Sequence, residues 1–90
     1  MKFGLFYQIQ VPKPWDEETE AKRFWEALDQ IAFAEEMGYD SVWFSEHHFR
    51  PEWSHNSAPD LTLAAVSQRT SRIRMGIGVV LAPIHHPLHT

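Results

Sequence analysis

The sequence predicts an α/β chain built on a parallel sheet, of the closed-barrel type. Three observations predict it. Apolar segments run in the order strand, helix, strand, helix, strand, the pattern of repeated crossover units. The second strand, residues 40–45, is almost continuously apolar, as expected of a parallel strand covered on both faces. The turn after the first strand, Tyr7-Gln8-Ile9-Gln10-Val11-Pro12, contains no glycine. A doubly wound nucleotide-binding sheet needs glycine there so that the backbone can approach a pyrophosphate, and a barrel is therefore favoured.

Residues 3–7 form a short aromatic first strand. Pro12 and Pro14 keep the following stretch out of helix. Asp16-Glu17-Glu18 opens the first helix, with Asp16 as the cap and acidic residues at the positive end of the helix dipole. Ala21, Phe24, Leu28 and Ile31 recur at helical spacing as its buried stripe. Gly38 is the stop signal, because glycine takes the left-handed conformation at little cost.

After the second strand comes a polar loop, residues 50–56, carrying Trp53 and His55. Ser57-Ala58-Pro59-Asp60 reads as a capping box with proline in the first turn. The helix it opens has Leu61, Ala64 and Ala65 on one face and Arg69 and Arg72 toward its C-terminal end. Residues 73–81 form the third strand, Pro83 ends it, and His85-His86-Pro87-Leu88 begins a third helix. Three parallel strands with helices on one side leave a face uncovered. The expectation is thus the first third of a larger barrel, a fold that takes about 250 residues.

Composition narrows the function. The 90 residues are 43% hydrophobic, with four Trp and six Phe, enough for a packed core. A net charge of -4 with scattered Lys and Arg speaks against nucleic acid as a partner. The absence of Cys excludes disulfides and thiolate metal sites and suits a reducing compartment. The apolar run at the start is too short for a signal peptide, and no segment reaches the roughly 20 apolar residues of a membrane span. A cytoplasmic protein is expected.

The chemistry-bearing run is Ser45-Glu46-His47-His48-Phe49, at the carboxyl end of the second strand. Barrel sites gather at such ends, and imidazoles exchange protons near neutral pH. From spacing alone the run reads equally well as hydrogen-bonded loop residues. Trp43 and Phe44 read as core. Gly76-Ile77-Gly78-Val79-Val80 places glycine inside a strand, which marks either a close ligand approach or tight packing. His85, His86 and His89 have spacings that zinc sites use. No His-Glu-x-x-His helix is present and Pro87 interrupts the group, so no metal ligands are assigned. His85 and His89 read as polar loop residues.

Lys2-Phe3-Gly4-Leu5-Phe6, Gly38-Tyr39-Asp40-Ser41-Val42-Trp43-Phe44-Ser45-Glu46-His47-His48-Phe49, Gly76-Ile77-Gly78-Val79-Val80-Leu81-Ala82-Pro83 and His86-Pro87-Leu88 together resemble the bacterial luciferase-like flavin monooxygenases. The resemblance covers essentially the whole chain in the family's order. It implies a TIM (β/α)8 barrel of which this chain supplies three strands and two helices. It also implies reduced FMN, delivered by a separate flavin reductase, and O2 acting on a small organic substrate.

By the same resemblance His47 lies by the flavin and does acid-base work, with His48 and Glu46 helping to build the site. Phe6 lies near the flavin ring, and a cis Gly78–Val79 peptide lies beneath it. The family holds the flavin phosphate with later parts of the barrel, so these residues carry part of a site. It commonly forms homodimers through helices of this region. Two other readings stand beside this one: a deazaflavin (F420)-dependent oxidoreductase of the same fold, and a non-catalytic flavin-binding or dimerising barrel fragment.

Overall fold

A computed structural model describes residues 1–90. Gly4–Tyr7 forms β1, Thr19–Glu36 α1, Ser41–Phe44 β2, Pro59–Ser67 α2 and Arg74–Ile77 β3. The strands make one parallel sheet in the order β1-β2-β3. Gly4 pairs with Ser41 and Phe6 with Trp43, and across the other side of β2 Trp43 pairs with Gly76. Residues in register share a face and neighbours along a strand alternate. Phe6, Trp43 and Gly76 therefore form a row on one face, and Tyr7, Phe44 and Ile77 a row on the other.

Only the second of these faces is covered by helices. Val42 and Phe44 are fully buried, whereas Trp43 between them is 45% exposed. The core joins Val42 and Phe44 to Ile9 and Val11, to Ala27, Leu28 and Ile31 of α1, and to Val66 and Ile73. The near-continuous apolar pattern of β2 is thus met by helix packing on one face and by an open aromatic face on the other. No helix is long and apolar enough to cross a membrane.

Helix α1 begins three residues after its expected cap. Asp16 Oδ1 accepts from the backbone N–H groups of Glu18 (2.8 Å) and Thr19 (2.9 Å) and from the Thr19 hydroxyl. It closes a turn ahead of the helix instead of capping its first residue. Leu28 and Ile31 are buried as expected and Phe24 is half-buried, but Ala21 is exposed. Eighteen helical residues span about 27 Å and four strand residues about 13 Å. The helix ends therefore overhang the sheet. Gly38 stops the helix with φ of 94°, a conformation that strains residues with a Cβ.

The second helix differs more from expectation. Ser57 does not cap it: Ala58 holds that position without a side-chain bond, and Pro59 opens the helix. Thr62 Oγ1 instead donates to Asn56 Oδ1 at 3.0 Å. Leu61 and Ala64 are exposed, and the buried residues are Pro59 and Val66. A helix this apolar has no single stripe to read, so contact with α1 and β3 selects the buried side. Arg69 pairs with Asp29 of α1 at 2.6 Å, and Arg72 donates to the Glu35 carbonyl at the end of α1. The Glu35 carboxylate accepts from the N–H groups of Ser71, Arg72 and Ile73 at 2.7–3.1 Å. These bonds, from Ile73 first, hold its pKa below the ordinary value.

Strand β3 is shorter than the expected residues 73–81. Gly78 N–H still bonds to Phe44 O (2.8 Å), and the chain then turns at the cis Gly78–Val79 peptide. No third helix follows. Two single 3-10 turns, Ala82–Ile84 and Pro87–His89, occupy that stretch. Pro83 and Pro87 lack the N–H groups that a longer helix would need.

Candidate active site

The carboxyl end of β2 is tied down before any chemistry-bearing side chain appears. Ser45 N–H bonds to Tyr7 O at 3.1 Å, His47 N–H to Asn56 O at 3.1 Å and His55 N–H to Ile9 O at 2.8 Å. The buried Ser54 hydroxyl donates to Gln8 O at 2.7 Å and lies 3.3 Å from the Ser45 hydroxyl. The β2–α2 loop is thereby stitched to the loop after β1. Phe49 takes a φ of 65°, uncommon for a bulky residue, and turns the chain directly after the two histidines.

Glu46 sits at the centre of this end. It is 3% exposed. Its Oε1 accepts from His48 Nε2 (2.9 Å) and His85 Nε2 (2.5 Å), and its Oε2 from Leu81 N–H (3.0 Å). Burial by itself would raise the pKa of this carboxyl. The bonds from His48, Leu81 and His85 outweigh it and lower the pKa to about 2. Both oxygens thus have protein partners, and anything Glu46 does for a cofactor passes through the imidazoles above it.

That shift has a consequence for acid stability. The ionised carboxylate is the form the fold favours, so its contribution is complete above the ordinary value of 4.5. It is lost as pH falls from there toward about 2. Urea midpoints measured from pH 6 down to 3 should therefore fall less steeply for Glu46→Gln than for the parent chain. Parallel slopes would show that Glu46 is not the ionised hub of this end. Glu35 and Asp40 also have lowered values, so the difference between the two chains is the quantity to compare.

The remaining expected residues fall into two groups. His47 is exposed and lines a cleft of about 500 Å³ together with His48, Arg50, His55, Asn56 and Phe24. His55 also bonds to Glu20 of α1 at 2.6 Å, closing one side of that cleft. Phe6 (59% exposed) belongs to the open face of the sheet, and Val79 (65%) is exposed beyond the end of β3. Gly78 lies against the open face: a Cβ there would stand 3.7 Å from Trp43 Cε3 and 3.9 Å from Phe6 Cε2. At Gly76 the Trp43 ring already occupies the space, since a Cβ would come within 2.5 Å of it.

Two residues of this region escaped the sequence reading. Trp43, expected in the core, is on the open face between Phe6 and Gly76. Val42, Trp43 and Phe44 are all apolar, so no polar alternation in the sequence marked which of them faces out. His85, expected as a polar loop residue, bonds to Glu46 across 39 positions of chain. No local pattern announces such a contact. No group of three or more His, Asp or Glu is arranged to hold a metal ion.

The open face suits a flat aromatic ligand. Phe6 and Trp43 are apolar, and the missing Cβ at Gly78 leaves the backbone approachable. These residues are uncharged and offer nothing to a phosphate.

Comparison with known proteins gives the family. The description "Luciferase-like monooxygenase" matches residues 1–90, and the chain belongs to that family. It is 41% identical over 63 residues to 4-hydroxyprotoasukamycin monooxygenase of Streptomyces nodosus subsp. asukaensis, covering 70% of this chain and 17% of that protein. It is 28% identical to the oxygenase component of the flavin-dependent trigonelline monooxygenase of Acinetobacter baylyi, covering 98% of this chain and 24% of that protein. Among solved structures it resembles the oxygenating constituent of 3,6-diketocamphane monooxygenase of Pseudomonas putida in complex with FMN. The TM-score is 0.82 at 27% identity, over 99% of this chain and 24% of that one. The chain thus spans about a quarter or less of the length of these relatives. Its three strands and two helices are a portion of their TIM barrel.

Proposed function

We propose that residues 1–90 are the N-terminal part of a single barrel domain that acts, when complete, as an FMN-dependent monooxygenase on a small organic substrate. The observation that carries this reading is the open face of Phe6, Trp43 and Gly78 beside the Glu46-His48-His85 cluster. Phe6, Gly78 and Val79 would hold the flavin ring; the phosphate grip is assigned to later parts of the barrel. Bound in reduced form, FMN supplies the electrons with which O2 is activated. His47, at the mouth of the cleft, gives and takes a proton during substrate oxidation. His48, anchored on Glu46, keeps its ring at the same mouth. The apolar face keeps water from the ring.

The likeness to an oxygenase component supports a separate flavin reductase as the source of reduced FMN. A homodimer and a cytoplasmic location complete the proposal, the latter in keeping with the absence of Cys.

An FMN titration followed by flavin fluorescence tests the reading. It uses this chain beside one extended through the remaining strands. Binding by the extended chain alone is expected, since only it has a phosphate grip. Tight binding by the 90-residue chain would mean that the site is complete without those parts. Absence of binding by both, with binding of reduced deazaflavin by the extended chain, would replace FMN by that cofactor.

A further inference from the structure

Glu46 serves more than one ring. An ionised carboxylate only accepts hydrogen bonds. Its Oε1 lies 2.9 Å from His48 Nε2 and 2.5 Å from His85 Nε2, so both nitrogens must carry hydrogen. Oε2 is used by Leu81 N–H at 3.0 Å. In a neutral imidazole whose Nε2 is protonated, the lone pair is on Nδ1. The hydrogen bond at one ring nitrogen thus decides which atom is left as the base.

The two rings come from different parts of the chain. His48 follows β2, and His85 lies between the two 3-10 turns that follow β3. Their side chains are 28% and 35% exposed, above a Glu46 side chain that is 2% exposed. The cluster is therefore a buried acceptor beneath two partly accessible rings. Its third bond, from Leu81, fixes the segment that leads away from Gly78 and Val79.

We propose that Glu46 is a positioning residue for two imidazoles at once. It holds His48 and His85 as Nε2–H tautomers and leaves Nδ1 of each as the proton-accepting atom. His85 thereby joins His47 and His48 in the site. The use of these acceptors in substrate oxidation rests on the monooxygenase reading; the tautomers themselves do not.

The test is a two-bond proton–nitrogen correlation spectrum of the imidazoles in the full 15N-labelled chain, at pH about 8.5, some two units above the reference histidine value of about 6.5. His48 and His85 are expected to show protonated Nε2 and unprotonated Nδ1. In Glu46→Leu no side-chain acceptor remains for either ring, so both rings should change to mixtures of tautomers. An Nδ1–H tautomer in either ring of the parent chain overturns the proposal. So does a pattern unchanged in a folded Glu46→Leu chain. Should that variant unfold, His85→Ala and His48→Ala decide the matter. Each leaves one ring on Oε1, which should stay an Nε2–H tautomer, and loss of that pattern overturns the proposal. The spectrum needs neither flavin nor oxygen. Failure of FMN binding would therefore remove the monooxygenase reading while these outcomes still judge the tautomers.

Discussion

His47→Ala, in a chain extended through the complete barrel, is expected to lower substrate oxidation by about 10²- to 10⁴-fold, the range for loss of a positioned acid-base group. Flavin affinity should change little. The reason lies in placement. His47 is exposed at the mouth of the cleft, while the apolar wall proposed for the flavin ring is made by Phe6, Trp43, Gly78 and Val79. Its backbone is pinned by the bond to Asn56 O, so removing the imidazole leaves the loop in place. The measurements are steady-state turnover and an FMN titration on the same protein. Turnover within about threefold of the parent would remove His47 from proton transfer, because that lies far outside the range for an acid-base residue. A parallel loss of flavin affinity would recast it as a binding residue.

The largest expected effect on stability is Phe44→Ala. Phe44 is fully buried at the centre of the core. Its ring stacks on Tyr7 with centroids 5.5 Å apart, and it lies in the middle strand of the sheet. Truncating such a residue costs about 3–5 kcal/mol through lost burial and the cavity left behind. Small domains have a total stability near the low end of about 5–15 kcal/mol, so most of the stability should be lost. Trp43→Ala, one position earlier on the open face, removes a larger side chain that is 45% exposed. It should destabilise the chain much less and weaken flavin binding by the extended barrel instead. Urea unfolding of the two variants beside the parent checks this. Equal losses would show that the two faces of β2 are packed alike.

Much of this was legible in the sequence for local reasons. The strand-helix-strand-helix-strand order follows from apolar periodicity, which a residue's neighbours set. The end of α1 follows from Gly38, whose φ of 94° only glycine takes readily. The Glu46-His47-His48 run could be placed at a strand end because strand and loop patterns meet there. The capping box at Ser57 could not be judged locally, because the helix begins one residue later than that box requires, with Ala58 at the cap and Pro59 at its first position. The buried side of α2 was equally hidden, since Leu61, Leu63, Ala65 and Val66 leave no polar stripe to oppose.

The sequence by itself determined the alternation of strands and helices, the parallel sheet, the position of the histidine run and the likeness to the luciferase-like family. Each of these depends on residue type at short spacing. Only the tertiary structure decided that Trp43 faces outward while Phe44 is buried, because the helices cover one face of β2. Only it brought His85 and Leu81 N–H onto Glu46. That contact joins the ends of two adjacent parallel strands, and sheet pairing brings such ends together whatever length of chain separates them.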